Sequence, residues 1–154
     1  MRSGRLLFVC FLLALLALSA CQPGARKRAI GYLRLGPVKN FSAPEVHLPE
    51  LSLVVRRDSG GFQVMSTMCT FDLSRLEPRQ GPQGVEWVSS YSESRYDNEG
   101  RVLNPPARAN LPFFKMVLEA SVLGGPKDTL YVMDGIEVPR EWRLKIPEET
   151  AAAR

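Results

Sequence analysis

The sequence is poor in the side chains that most often perform catalysis or bind metals. Its 154 residues contain one histidine, His47, and three cysteines, Cys10, Cys21 and Cys69. No catalytic set of serine, histidine and aspartate is evident around His47. The chain has neither a His-Glu-x-x-His motif nor a glycine-rich phosphate-binding loop. These absences predict a protein that is not an enzyme and that takes no small-molecule substrate.

Long apolar runs are missing except near the start of the chain. A short basic segment, Met1 to Arg5, precedes an apolar run from Leu6 to Ala20. Charge, apolar core and a small-residue cleavage site in this order are typical of a secretory signal. The run is shorter than the ~20 residues that a membrane-spanning helix requires, which argues against an uncleaved membrane anchor. We therefore predict that residues 1–20 are a signal peptide.

The end of that run resembles the lipobox of bacterial lipoproteins. It reads Leu-Ser-Ala-Cys and ends at Cys21, and the resemblance implies that this thiol is acylated and becomes the new N-terminus. Acyl chains hold a protein on a bilayer without a spanning helix. Residues 22–28 are then a linker of at most ~25 Å. Its basic residues 26–28 either attract anionic headgroups or are simply solvated. The predicted location is the periplasmic face of a bacterial membrane, with the inner membrane favoured over the outer.

A strong excess of one charge is lacking. Because the predicted signal peptide holds two arginines and no acidic residue, its removal lowers the formal net charge from +4 to +2. A nearly neutral chain argues against nucleic acid as a partner. Removal of Cys10 and acylation of Cys21 leave Cys69 as the remaining thiol, so we predict no internal disulfide.

Sustained helical periodicity is absent as well. Short β-type runs separated by Gly, Pro, Asn and Asp occupy residues 30–35, 51–55, 61–65, 84–88, 114–118, 129–133 and 142–146. Residues 58–61 and 97–100 carry turn signals, and residues 101–103 follow the second turn as a returning strand. The pattern predicts an all-β domain of antiparallel sheets over residues 29–147, followed by a frayed tail at residues 148–154.

Two segments carry a more specific signal. Residues 65–74 read Met-Ser-Thr-Met-Cys-Thr-Phe-Asp-Leu-Ser, and residues 89–100 read Ser-Ser-Tyr-Ser-Glu-Ser-Arg-Tyr-Asp-Asn-Glu-Gly. They resemble the two cluster-binding loops of Rieske iron–sulfur domains, Cys-Thr-His-x-x-Cys and Cys-Pro-Cys-His-Gly-Ser-x-Phe-Asp. Residues 54–64 resemble the strands before the first loop, and residues 104–107 fall where the family has Gly-Pro-Ala. The resemblance implies a Rieske-like stack of small antiparallel sheets with two loops at one tip.

Most residues that bind the cluster in this family are replaced here. Carried onto this sequence, the four ligand positions are Cys69, Phe71, Ser89 and Ser92, and the two disulfide positions are Ser74 and Tyr91. Phenylalanine has no lone pair, and a serine hydroxyl is a poor replacement for thiolate or imidazole. A shifted register that recruits Asp72 or Glu93 supplies hard oxygen ligands and breaks the match over residues 94–97. We therefore expect no 2Fe-2S cofactor and no bound metal.

The substitutions also lead to expectations about packing. Phe71 and Tyr91 are large and aromatic, and burial of each in the former cluster region would contribute ~1.5–3 kcal/mol in place of the metal. For Cys69, the favoured interpretation is a small buried hydrophobe. The alternative is a reactive thiol at the exposed tip.

Three functional hypotheses follow from these patterns. The first is a cluster-free Rieske-like lipoprotein, an accessory or structural subunit of a bacterial membrane electron-transfer complex with a cytochrome-containing partner. Its predicted docking residues are Asp72, Glu93, Pro105 and Pro106. The second is a divergent 2Fe-2S protein that transfers electrons between quinol and a cytochrome. The third is a thiol switch at Cys69.

Overall fold

The computed structural model describes residues 31–118 and 128–146. The predicted signal peptide, the predicted lipidation site Cys21, its linker and the predicted tail lie outside these residues. The strands are β1 (Tyr32–Pro37), β2 (Glu45–Leu48), β3 (Leu53–Asp58), β4 (Gly61–Ser66), β5 (Leu76–Gly81), β6 (Gly84–Ser89), β7 (Arg95–Tyr96), β8 (Val102–Asn104), β9 (Phe113–Leu118) and β10 (Thr129–Val138). Two short 3-10 helices, Val38–Phe41 and Pro49–Leu51, flank β2.

The strands form two antiparallel sheets. The large sheet has six strands in the order β1-β10-β9-β4-β3-β2, and the small sheet has four in the order β5-β6-β7-β8. The all-β class that the sequence predicts is therefore confirmed. In the two described ranges, we find no helix of the length and apolarity that a membrane crossing requires.

The large sheet is buried on both faces at its centre. In β3, Leu53 and Val55 belong to one apolar core, whereas Val54 between them belongs to a second core on the other face. This alternation is the two-residue period of a strand. The second core also contains Trp87 and Tyr96 of the small sheet. Apolar packing therefore holds the small sheet against the large one.

The sequence pattern predicts most of the strands and both turns. Six of the seven predicted runs overlap strands, and the turn at residues 58–61 joins β3 to β4 with Asp58 opposite Gly61. The prediction of a strand at residues 142–146 is wrong. Leu144 forms a single bridge with Phe62 of β4, because β9 pairs with β4 at the following positions, Val64 and Met65.

Three strands, β2, β5 and the two-residue β7, lie outside the predicted runs. β5 reads Leu-Glu-Pro-Arg-Gln-Gly, and four of its six residues are exposed, so it has no alternation of apolar and polar residues. It pairs with β6 along its whole length as an edge strand, where a proline is tolerated. β2 is an edge strand of the large sheet with no fully buried residue.

Two loops meet at one end of the molecule. The first loop (residues 67–75) connects β4 to β5, and the second loop (residues 90–94) connects β6 to β7. Leu76 at the start of β5 pairs with Ser89 at the end of β6, so the register places both loops side by side. The two loops together are called the tip below.

Candidate functional site

The first loop is closed by its own backbone. The amide of Cys69 donates to the carbonyl of Ser74 at 2.8 Å, and the amide of Leu73 donates to the carbonyl of Cys69 at 3.1 Å. At the base of the loop, the amide of Leu76 donates to the carbonyl of Thr67 at 2.8 Å. These bonds fix the loop as a tight turn on top of β4 and β5.

Asp72 joins the first loop to the end of β6. Its Oδ1 accepts hydrogen bonds from the amide of Ser74 at 2.9 Å and from the hydroxyl of Ser74 at 2.6 Å. Its Oδ2 accepts a hydrogen bond from the hydroxyl of Ser89 at 2.7 Å. The two serine hydroxyls are themselves 3.0 Å apart. One carboxylate therefore holds together residues that are 17 positions apart in the chain.

This environment favours the charged form of the Asp72 side chain. Burial acts to raise the pKa of the carboxyl group, but the polar groups of Ser74, Ser92 and Ser89 around it act in the opposite direction and outweigh burial. The pKa of Asp72 lies well below its usual range as a result. The carboxylate is an acceptor at neutral pH and has no proton to donate.

Serine hydroxyls continue the network into the second loop. Ser89 Oγ accepts hydrogen bonds from the amides of Tyr91 at 3.1 Å and Ser92 at 3.0 Å. The hydroxyl of Ser92 donates to that of Ser94 at 3.0 Å, and Ser94 Oγ accepts from the amide of Ala107 at 3.2 Å. We call Asp72, Ser74, Ser89 and Ser92 the loop network. Its hydrogen bonds link both loops.

Cys69 lies beneath this network. Its side chain is fully buried, with Sγ 3.5 Å from the hydroxyl oxygen of Tyr96 and 4.0 Å from Ser92 Oγ. The prediction that it is a small buried residue is confirmed. The exposure that the alternative expected for this thiol is wrong, because the side chain is fully buried.

Tyr96 anchors the first loop from below. Its ring is fully buried, and its hydroxyl oxygen accepts a hydrogen bond from the amide of Thr70 at 3.0 Å and lies 2.9 Å from Thr70 Oγ1. The Thr70 hydroxyl also donates to the carbonyl of Ala109 at 2.8 Å. Burial, reinforced by the hydrogen bond to Cys69, raises the pKa of the Tyr96 phenol.

The residues at the predicted cluster positions do not fit a 2Fe-2S cluster. Cys69 and Ser92 are in direct contact, and Ser89 Oγ is engaged with Asp72 and with two backbone amides. Phe71 supplies no donor atom. Within residues 31–118 and 128–146, no three side chains of His, Cys, Asp or Glu are grouped so as to hold a metal ion. One thiol among hydroxyls is a poor donor set for iron.

The expected packing of the two aromatic residues is wrong. Phe71 is 58% exposed and Tyr91 is 87% exposed. Hydrogen bonds between Asp72 and the serines occupy the space in which these rings were expected to pack. Polar contacts rather than aromatic burial therefore connect the loops.

The exposure of Phe71 leads to a prediction about stability. Replacing Phe71 by alanine is expected to change the free energy of unfolding by less than about 0.5 kcal/mol, because surface substitutions away from special features have small effects. Urea unfolding of the two proteins measures the difference. A loss of several kcal/mol would show that this ring packs inside the tip after all.

Three of the four predicted docking residues lie close together. Asn104 Nδ2 donates to the carbonyl of Glu93 at 2.8 Å and to the carbonyl of Pro105 at 2.9 Å, so it ties the second loop to the Pro105–Pro106 segment. The side chains of Glu93 and Pro105 are exposed, and Pro106 is half-buried. We call Glu93, Pro105 and Pro106 the flank. Asp72 differs, since its carboxylate bonds to Ser74 and Ser89 within the tip.

Sequence reasoning missed two features of the tip. The structural role of Asp72 has a local signal, because an aspartate two residues before a serine is typical of a turn in which the carboxylate accepts that serine's amide. The exposure of Met68 and Leu73 has no such signal, since apolar residues in a β-rich segment are normally expected inside.

No protein-family model matches the chain, and no curated protein matches it either.

Proposed function

We propose that the protein is a cluster-free, Rieske-like accessory subunit of a bacterial membrane electron-transfer complex, anchored by lipid at Cys21 and facing the periplasm. The role is non-enzymatic: the domain binds a membrane protein partner and carries no electrons. The loop network is the observation that supports this proposal. It gives the two loops a fixed arrangement from one carboxylate and several hydroxyls, so their order does not depend on a cofactor.

The two alternatives gain less support. An electron-transfer role requires a redox centre, and the contacts of Cys69, Ser89 and Ser92 leave one thiol as the best ligand available for iron. A thiol switch requires an accessible, low-pKa cysteine, whereas Cys69 is fully buried beside the Tyr96 hydroxyl.

A metal assay tests the proposal directly. Protein purified from its native membrane is analysed for iron and acid-labile sulfide, and its visible and EPR spectra are recorded after reduction. We expect neither iron nor a Rieske-type signal. Stoichiometric iron with such a signal would refute the cluster-free proposal and support electron transfer between quinol and a cytochrome.

The flank is the surface that we assign to the protein partner. Glu93 projects from the second loop as an exposed carboxylate beside two prolines, and rigid, exposed segments of this kind lose little conformational entropy on binding. Asp72 is unsuitable for a docking test, because its substitution would also disrupt the loop network.

Charge reversal at Glu93 is therefore expected to weaken the complex. We predict that Glu93→Lys lowers the amount of partner that co-purifies by about tenfold, which corresponds to about 1.4 kcal/mol. The control is Asp134→Lys, which reverses an exposed acidic residue of β10. Equal recovery of the partner with both variants would show that docking lies elsewhere.

A further inference from the structure

The tip exposes a group of large apolar side chains. Met68 is 41% exposed, Phe71 58%, Leu73 72% and Tyr91 87%, and all four lie on the two loops that the loop network joins. Single exposed apolar residues are common on protein surfaces, but a group of them on neighbouring loops is typical of an interaction site. We call these four residues the apolar tip.

The backbone at Leu73 strengthens this interpretation. Leu73 has a φ of 59°, in the left-handed region that a leucine rarely adopts. Its side chain is also the second most exposed of the four. An asparagine or glycine would suit both the backbone and the solvent better. The position therefore carries two costs to stability that an external apolar partner would offset.

Strand directions show which end of β1 is nearer to the tip. β4 runs toward the tip, and the antiparallel pairs β4–β9, β9–β10 and β10–β1 then make β1 run away from it. Tyr32 pairs with Met133, beyond the Val132–Met116 pair on the tip side. The first residues of β1 therefore form the end of this strand that is nearer to the tip.

The length of that preceding chain limits where the membrane lies. Nine residues lie between Cys21 and Gly31, and the ten steps from one to the other span at most about 35 Å when the chain is fully extended. A domain of this size is itself about 30 Å across. A lipid at Cys21 would thus keep the domain at the bilayer, with enough length of chain for the tip to reach its surface. The turn at residues 58–61 lies at the opposite end of β4 from the tip.

Positive charge adjoins the first loop. Arg75 is the last residue of the first loop. Arg108 is next to Ala109 in the chain, and the carbonyl of Ala109 accepts a hydrogen bond from the Thr70 hydroxyl of the first loop. Both arginines are exposed, and neither forms an ion pair within the described parts of the chain. Two acidic groups lie on the loops: Asp72, whose carboxylate bonds to the serines of the network, and Glu93 on the flank. Glu99, Glu137 and Glu141 line a cavity together with Thr70 and Ala109, and two of them, Glu99 and Glu141, form ion pairs with Arg140. Arginines of this kind suit anionic headgroups.

We propose that the apolar tip inserts into the interfacial region of the lipid bilayer to which the chain is anchored. The inference rests on the lipid anchor of the proposed function. Phe71 and Leu73 enter the boundary of the acyl chains, Tyr91 lies at the level of the headgroups, and the two arginines contact anionic lipid. The flank then remains free to bind the protein partner beside the membrane.

Depth-dependent quenching tests this insertion. The full-length acylated protein is reconstituted into vesicles of phosphatidylethanolamine and phosphatidylglycerol whose acyl chains carry bromine. The variants are Phe71→Trp at the tip and Ser59→Trp in the exposed turn at the opposite end; both retain the native Trp87 and Trp142. We expect several-fold stronger bromine quenching of the Phe71→Trp protein. Quenching of the Phe71→Trp protein should be weaker in vesicles of neutral phosphatidylcholine that carry the same brominated chains.

A second substitution separates lipid contact from folding. Leu73→Asn in the Phe71→Trp background removes an apolar group and suits the positive φ, so the protein should unfold at the same or a higher urea concentration and yet be quenched less. Unchanged quenching in this variant would contradict a role for Leu73 in the bilayer.

The remaining outcomes distinguish the two proposals. Equal quenching of the Phe71→Trp and Ser59→Trp proteins, with acylation of Cys21 verified by mass spectrometry, overturns insertion and leaves the anchor intact. Protection of the tip only when the membrane protein complex is added identifies it as a protein-binding surface and also overturns insertion. A protein without acyl groups refutes the anchor and the tip proposal together.

Discussion

Replacing Asp72 by alanine is expected to lower the free energy of unfolding by about 2–3 kcal/mol and the melting temperature by about 10 °C. The carboxylate accepts three hydrogen bonds, two from Ser74 and one from Ser89. Bonds to a charged acceptor are stronger than neutral ones, although partial exposure of Asp72 allows water to replace some of them. The loss is large because the same residue connects both loops.

The effect should also depend on pH in a defined direction. The folded-state pKa of Asp72 lies below the ordinary value of 3.8, so the charged form stabilises the folded protein. This contribution is fully present above the unfolded-state pKa and is lost as the pH falls through the folded-state value. Urea unfolding at neutral pH and then at decreasing acidic pH should therefore show the difference between wild type and Asp72→Ala becoming smaller.

Two further variants test whether loss of the loop network causes the lower stability of Asp72→Ala. Asp134→Ala, which removes an exposed carboxylate outside the tip, should leave stability nearly unchanged. Ser89→Ala should destabilise the protein, and its effect should not add to that of Asp72→Ala, because the two side chains share a hydrogen bond of 2.7 Å. A constant difference between wild type and Asp72→Ala at every pH would contradict the assigned role of the charge.

The sequence predicts the class of the fold better than its details. Strands such as β3 and β4 have a strong local signal, since β-branched and aromatic residues lie on both sides of the turn between Asp58 and Gly61. β5 has no such signal, because its stability comes from pairing with β6 and not from its own apolar residues. Pairing between distant segments is a tertiary effect that a local pattern does not contain.

The candidate site shows the same division. The sequence predicts that residues 65–74 and 89–100 form two loops at one tip, and in the structure the hydroxyl oxygens of Ser74 and Ser89 are 3.0 Å apart. The sequence does not predict which side chains of these loops point inward. Phe71 and Tyr91 are exposed because Asp72 and the serines satisfy one another in the space between the loops. Hydrogen-bond satisfaction of this kind depends on three-dimensional geometry.

The order of the tip and its apolar surface are therefore linked. Polar residues form the interior of the tip, and this leaves Met68, Phe71, Leu73 and Tyr91 outside on a rigid support. A rigid support lowers the entropic cost of placing these side chains in contact with a partner or a membrane. Weakening the network should accordingly impair binding at the tip even when no exposed side chain is altered.

Replacing Tyr96 by phenylalanine is the second substitution with a large expected effect, a loss of about 2 kcal/mol in the free energy of unfolding. The ring remains and the core packing is retained, so the loss comes from the hydroxyl alone. That hydroxyl accepts the hydrogen bond from the amide of Thr70 and contacts both Thr70 Oγ1 and Cys69 Sγ. Phenylalanine removes the hydrogen-bond partner of the partly buried Thr70 amide, and an unsatisfied amide away from water is costly.

The stability of wild type and Tyr96→Phe at alkaline pH tests whether the hydroxyl group is responsible. Burial raises the folded-state pKa of Tyr96 above the ordinary value of 10.0, so the neutral phenol stabilises the folded protein. That contribution is complete below the unfolded-state pKa and is lost as the pH rises through the folded-state value. Wild type should therefore lose stability above about pH 10 more steeply than Tyr96→Phe does. Tyr91→Phe, which alters an exposed ring, should follow wild type. Parallel curves for wild type and Tyr96→Phe would show that the hydroxyl of Tyr96 does not anchor the first loop.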